Sequence, residues 1–288
     1  MNAGTIAYAP SSSVFKVELD DIFQGQVLFC TGGGTGICQK MVEGVMRLQS
    51  KRTIDGASAF IFGRRENVLH ATAAELSRNT QQRCSYASGD VRSITSLEKA
   101  VAKCISEYGR IDFVIAGAAG NFLCPIDQLS PNAFKSVVEI DLVRRLIHLL
   151  LRPDEEIAYS CLNTTPSRPP CPISRQAKAP LSAYLQPYIT MVRTPLQAHV
   201  SSAKAGVDAL SQALAVEFGP HGIRSNIIAP GLISDTEGFS RLSTPESQKT
   251  ILQNIPLQRF GTRGDIANAA IFLFSPAASY ITGTILSQ

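Results

Sequence analysis

Thr31-Gly32-Gly33-Gly34-Thr35-Gly36 is the stretch whose residue types and spacing point most directly to chemistry. It follows the apolar run Val27-Leu28-Phe29-Cys30 and leads into Ile37, Met41, Val45 and Leu48, which recur at helical spacing. Glycines between a strand and a helix let backbone N–H groups approach a pyrophosphate, with the positive helix end behind them. The pattern from Thr31 to Ile37 is Thr-Gly-x-x-x-Gly-Ile, and Cys38 stands where a third glycine is usual. A cysteine is small enough to keep the helix close to the strand. A tight turn that binds nothing is the plainer alternative.

Gly63-Arg64-Arg65 follows the second apolar run. An acid there would hold a ribose 2′-hydroxyl, whereas a guanidinium can bind a 2′-phosphate in bidentate fashion, so Arg64 and Arg65 favour NADP(H) over NAD(H). The alternative is a solvated basic face at a helix start. Asp90-Val91 closes the third strand and fits a carboxylate accepting hydrogen bonds from an adenine amino group. Ala116-Gly117-Ala118-Ala119-Gly120 follows the fourth strand, and its small residues let the backbone pass close to a ribose. Lys204 lies among Ala203, Ala205 and Gly206, a composition that implies a close-packed helix face rather than a solvated lysine.

The elements that must position these residues alternate. Strands are expected at 27–30, 59–62, 84–87 and 112–115, with helices over 37–50, 66–76 and 94–107 between and after them. Downstream, a long helix is expected from His199 to Phe218, a strand from Arg224 to Ala229, a helix from Asp265 to Phe274 and a last strand from Tyr280 to Leu286. Short apolar strands alternating with helices imply one α/β domain of Rossmann type, a parallel sheet wound on both faces. Residues 143–193 break the pattern: Pro166, Pro169, Pro170, Pro172 and Pro180 stop helices and remove strand hydrogen bonds, so this segment reads as irregular, with no fifth strand.

A chain of 288 residues suits such a single domain, residues 1–288. A net charge of +4 without a basic block excludes a nucleic-acid footprint, and no apolar run reaches the roughly 18 residues that span a bilayer. The seven cysteines form no Cys-x-x-Cys pair and the four histidines lie apart, so no metal site is expected. With no leader readable at its start, the chain is expected to be soluble and to keep its thiols reduced.

With these pieces in order the chain resembles the short-chain dehydrogenase/reductase superfamily and, within it, the fungal peroxisomal 2,4-dienoyl-CoA reductases. The resemblance rests on Ile111-Asp112-Phe113-Val114-Ile115-Ala116-Gly117-Ala118-Ala119-Gly120-Asn121-Phe122, Ser130-Pro131-Asn132-Ala133-Phe134-Lys135, Ile140-Asp141, His199 to Leu210, Ala229-Pro230-Gly231 and Asp235-Thr236-Glu237-Gly238. It covers residues 25–142 and 194–286. What it implies is NADPH-dependent reduction of a 2,4-dienoyl-CoA to a 3-enoyl-CoA in fatty-acid β-oxidation, in the peroxisome, by a homo-oligomer that assembles through the long helix. By the same resemblance Lys204 binds the nicotinamide ribose and, with Asp141, holds a proton-donating water. Pro230, Gly231, Ile233 and Thr236 wrap the nicotinamide and phosphates. Arg64, Arg92, Phe122, Ser130 and Arg241 meet the acyl-CoA.

Members of the superfamily that reduce carbonyls place a tyrosine four residues before the lysine; here that position is Val200. A phenol must stand beside the hydride path when the proton goes to the neighbouring oxygen, whereas a dienoyl thioester takes its proton on a distant carbon. Two other readings stay open. A carbonyl reductase would have to recruit Tyr184 or Tyr188. An inactive NADP-binding chain, such as a faulty gene model or splice form would give, would explain why 143–193 lacks the family's catalytic serine (Ser160 and Ser182 are poor substitutes) and why the chain stops at Ser287-Gln288. That stop precedes the family's Asp-Gly-Gly strand end and any Ser-Lys-Leu peroxisomal address, without which the compartment would be the cytoplasm.

Overall fold

The computed structural model describes residues 22–47, 56–142, 183–187, 195–236, 239 and 245–287, with the backbone alone for 183–187, 245–247 and 250. In chain order the elements are β1 (Val27–Thr31), α1 (Gly36–Met46), β2 (Ser58–Gly63), α2 (Glu66–Thr80), β3 (Cys84–Ser88), α3 (Ile94–Tyr108), β4 (Phe113–Ala116) and α4 (Pro131–Asp141). They continue with β5 (Ala183–Pro187), α5 (Ala198–Phe218), β6 (Arg224–Ala229), α6 (Pro245–Asn254), α7 (Arg263–Phe274) and β7 (Ile285–Ser287).

The strands form one sheet in the order β3-β2-β1-β4-β5-β6-β7, and every neighbouring pair is parallel. β1, β2 and β4 are mostly apolar because both of their faces are covered. Along β1, Leu28 and Cys30 face a core shared with α1 and α7, while Val27 and Phe29 face one shared with α3 and α5. β2 divides in the same way, Ala59 and Ile61 against Phe60 and Phe62, and so does β4, Phe113 and Ile115 against Val114 and Ala116. The side-chain period of two thus feeds two helical layers from each strand. This is the doubly wound Rossmann-type sheet expected from the sequence, in one domain.

The chain winds outward from β1 to β3 and then crosses to β4, so the direction reverses between β1 and β4. In open α/β sheets a ligand crevice opens beyond the carboxyl ends of the strands at such a reversal. The turn after β1 and the loop after β4 meet there.

Two expectations need correction. A fifth strand exists: Phe113 pairs with Ala183 and Ile115 with Leu185 on one side, and Ala183 through Pro187 pair with Arg224 through Ile228 on the other. Pro180, three residues before it, and Pro187, its last member, hid a strand of only five residues, and a proline at a strand's last position leaves most of its ladder intact. The remainder of the anomalous stretch, including Ser160, Ser182 and Tyr188, lies outside the described residues. The last strand is shorter than expected: Tyr280 lies in a turn and is fully exposed, Gly283 takes φ +71°, and pairing with β6 starts only at Ile285. The helix α6 gave no sequence signal strong enough to be anticipated, and Leu48 falls outside the described residues.

Candidate active site

The glycine turn is held by contacts that explain its composition. Gly32 has φ +73°, and a Cβ on it would lie 2.8 Å from the backbone nitrogen of Ala118. Only glycine lets the turn after β1 abut the loop after β4 in this way. The two are tied by Gly117 N–H donating to Thr31 O (3.2 Å) and Ala118 N–H donating to Thr31 Oγ1 (3.3 Å). From behind, Thr72 Oγ1 donates to Gly34 O at 2.9 Å. Thr35 precedes α1 without capping it through its side chain, so the first-turn N–H groups have no such side-chain partner. Cys38 packs its sulfur against Gly117, where a Cβ would fall 2.1 Å from Sγ. A larger residue in the third-glycine place is therefore met by glycine on the facing loop.

These loops open a cavity of about 450 Å³. Of the residues singled out from the sequence, Gly32, Gly34, Thr35, Gly36, Ile37, Arg64, Arg65, Asp90, Val91, Gly117, Ala118, Asp141, Lys204, Pro230 and Thr236 line it. Thr31 and Ala116 end their strands beneath it, both buried, and Gly33 packs against Ile61 and Cys30 instead. Gly231 sits beside Pro230, and Ile233 is buried where its backbone bridges to Gly261, which anchors the loop after β6. Asp235 fixes the same loop through an ion pair with Arg263 at 2.7 Å. Thr236 uses its hydroxyl locally, donating to Ile233 O at 2.8 Å.

At the cavity's inner end stands a buried ion pair. Asp141 ends α4, Lys204 lies in α5, and Nζ is 2.6 Å from Oδ2. The Asp141 side chain is 1% exposed and that of Lys204 8%. The other carboxylate oxygen, Oδ1, accepts from the Gly120 N–H at 3.3 Å, which ties the pair to the loop after β4. Val200, one helical turn before Lys204, lines the cavity and packs with Val137, Ala203, Phe122 and Val138. Tyr184 lies on β5, paired with Val114 and Ser225.

Of the expected acyl-CoA contacts, Arg92 and Ser130 make hydrogen bonds within the protein, and Phe122 packs against Val200, which lines the cavity. The Arg92 guanidinium is taken up by Asp90, with Nη2 donating to Oδ2 at 2.6 Å and Nε to Oδ1 at 3.1 Å. Those hydrogen bonds hold the Asp90 carboxyl below the usual carboxylate range, against a smaller opposing effect of burial. Ser130 caps α4, its Oγ accepting from Ala133 N–H at 3.2 Å, and does not line the cavity. Phe122 is half-buried next to Asn121, which does line it. Arg241 lies outside the described residues. Among the described residues no group of His, Cys, Asp and Glu could hold a metal ion.

A model described as short chain dehydrogenase matches residues 26–147, and one described as enoyl-(acyl carrier protein) reductase matches residues 186–288. The chain is 42% identical over 269 residues to the peroxisomal 2,4-dienoyl-CoA reductase SPS19 of Saccharomyces cerevisiae, named as (3E)-enoyl-CoA-producing, covering 92% of this chain and 83% of that one. The chain belongs to the short-chain dehydrogenase/reductase family. It is also 38% identical to the peroxisomal 2,4-dienoyl-CoA reductase of Pongo abelii, over 92% of this chain and 83% of the relative. A solved short chain dehydrogenase from Bacillus anthracis superposes with a TM-score of 0.70 at 30% identity, covering 92% of this chain and 95% of that one.

This short-chain dehydrogenase/reductase is an oxidoreductase, and the family uses nicotinamide cofactors. The residues present fit one: Gly32, Gly34, Thr35 and Gly36 present backbone with little side chain at the cavity, and the small residues from Gly117 to Gly120 border it too. Sequence reasoning missed Val68, Leu69, Ile140 and Gln197 in the wall. The first two sit at helical positions after Arg65 that read as ordinary core. Ile140 precedes Asp141, and Gln197 precedes a helix start; neither residue type marks a site.

Proposed function

We propose that this chain reduces 2,4-dienoyl-CoA thioesters to 3-enoyl-CoA with NADPH, in the peroxisomal β-oxidation of unsaturated acyl chains. The observation that carries the reading is the Asp141–Lys204 pair bordering the cavity, with an apolar Val200 in place of a phenol. The relatives named as 2,4-dienoyl-CoA reductases support the substrate class and the compartment.

When bound, the dinucleotide supplies a hydride that adds at the δ-carbon, leaving negative charge spread to the thioester oxygen. Asp141 and Lys204 hold a water for the next step: the carboxylate accepts one of its hydrogens and the ammonium polarises it. The water's other hydrogen goes as a proton to the α-carbon, several bonds from the hydride, while the Lys204 ammonium reprotonates the hydroxide left behind and is itself reprotonated from solvent; the remaining double bond joins the β- and γ-carbons. Lys204 also holds the nicotinamide ribose, and Pro230 through Thr236 wrap the nicotinamide and phosphates. Arg64 and Arg65, both exposed at the cavity rim, take the 2′-phosphate. Asp90 accepts from the adenine amine while remaining paired with Arg92. Val200 removes the group that would protonate a carbonyl oxygen and leaves an apolar wall for the conjugated chain. The protein acts as a homo-oligomer assembled through α5.

NADPH oxidation by the purified protein with a 2,4-dienoyl-CoA, set against a simple ketone, tests the reading. Turnover of the dienoyl-CoA supports it. Turnover of the ketone alone overturns it in favour of a carbonyl reductase, and NADPH binding without turnover overturns it in favour of an inactive binder.

A further inference from the structure

The geometry points to His199 as the residue that positions the acyl wall against the proton site, an inference that rests on the dienoyl-CoA reading. His199 is the second residue of α5 and is fully buried. Its ring stacks on Phe122 with centroids 4.3 Å apart and planes inclined by 26°. Its Nε2 lies 3.1 Å from the Phe122 carbonyl oxygen. A carbonyl can only accept, so Nε2 carries the hydrogen, and the tautomer follows from the bond.

The other ring nitrogen decides between packing and positioning. Nδ1 is buried and has no hydrogen-bond partner among the described residues. Burying a polar nitrogen without a partner is unfavourable, so leucine or phenylalanine would fill this space better if filling it were the whole task. What histidine adds is the Nε2–H hold on the Phe122 backbone together with a flat face against the Phe122 ring.

Two neighbouring bonds extend the hold into a clamp. Asn121 Nδ2 donates to Gln197 Oε1 at 3.4 Å, and Cys124 N–H donates to Leu196 O at 2.9 Å. Residues 121, 122 and 124, in the irregular stretch after β4, are therefore fastened to the start of α5. The same helix carries Val200 and Lys204. One rigid element thus sets the distance between the proton site and the aromatic wall along which the conjugated acyl chain lies. His199 touches no reacting atom; it acts through Phe122.

Two variants separate positioning from mere support. His199→Phe keeps a ring of similar size and loses the donor, whereas His199→Gln keeps an N–H able to reach the carbonyl and loses the ring. For His199→Phe the expected result is a KM for dienoyl-CoA raised about tenfold, the effect of losing one hydrogen bond, with kcat less affected and NADPH affinity unchanged. His199→Gln is expected to restore most of the loss. An active wild type with His199→Phe unaltered overturns the inference alone. So does a result in which both variants lose NADPH affinity and dienoyl-CoA turnover equally, since that marks general support of the fold. A wild type that binds NADPH but turns over no dienoyl-CoA overturns the functional reading and the acyl assignment with it.

Discussion

Lys204 Nζ lies 2.6 Å from Asp141 Oδ2, and the backbone N–H of Gly120 holds the other oxygen of the same carboxylate. A buried carboxylate and ammonium in contact place two opposite charges at one point of the cavity wall, where they can orient a water without a phenol. Removing either member leaves its partner buried without a counter-charge.

Asp141→Asn is accordingly expected to lower kcat by about a hundredfold or more, the range for losing a proton-transfer group, while NADPH still binds. Stopped-flow separation of binding from turnover checks this. Wild-type turnover in the variant would remove Asp141 from the chemistry.

Arg64 and Arg65 reach the cavity from the end of β2. Replacing both with alanine is expected to raise the KM for NADPH by about tenfold to a hundredfold, the scale of charge-assisted hydrogen bonds. Activity with NADH should scarcely move. Equal losses with the two cofactors would mean that these arginines do not read the 2′-phosphate.

How much of this was legible beforehand depended on whether a residue advertises itself locally. β1, β2 and β4 are short apolar runs whose alternate residues fill two cores, so their period and their breakers sufficed. The glycine turn was legible for the same reason. β5 was not, because its five residues end in a proline and follow another closely, and their strand state comes from pairing with both β4 and β6 rather than from composition. Asp141 and Lys204 lie far apart in the chain, and only the resemblance joined them before the fold did. The capture of Arg92 by Asp90 was invisible, although the two are close in sequence, since spacing alone does not show which partner a guanidinium takes.

Val200 is 6% exposed and packed among Val137, Ala203 and Phe122. Val200→Tyr is expected to destabilise the protein by about 1–3 kcal/mol through overpacking and to confer no ketone reductase activity. Thermal denaturation and a ketone assay check both parts. A stable variant with ketone turnover would show that the site lacks only a phenol.

Burial pushes the Cys30 thiol well above its usual range, with the adjoining Cys38 thiol adding to the effect, and pushes Cys84 and Cys104 up to about 12. At about pH 8, where an ordinary cysteine is partly thiolate, these three are expected to resist an alkylating reagent until the protein is unfolded. Cys38 lines the cavity, so NADPH should slow its labelling. Peptide mass spectrometry reads each site, and rapid native labelling of Cys30 would contradict its burial.

Asp265 and Thr262 form a capping box at the start of α7, and Arg259 joins it with Nη1 2.8 Å from Asp265 Oδ2. Thr262→Ala is expected to cost about 1 kcal/mol. Arg259, followed by the Thr262 N–H and hydroxyl, holds the Asp265 carboxyl well below its usual range. A depressed folded-state value means that its stabilisation is complete above the unfolded value, about pH 4, and is lost as the pH falls through the folded one. The Tm gap between wild type and Asp265→Asn should therefore be steady near neutrality and close in acid. A gap that widened in acid would reverse the sign.

The most direct measurement is the position of solvent hydrogen in the product. With NADPH and a 2,4-dienoyl-CoA in deuterated water, NMR of the product should show deuterium at the α-carbon, undeuterated hydride at the δ-carbon and the double bond between the β- and γ-carbons. Deuterium at the γ-carbon with a double bond next to the thioester, or no product from an NADPH-bound protein, would contradict proton delivery by Asp141 and Lys204 to the α-carbon.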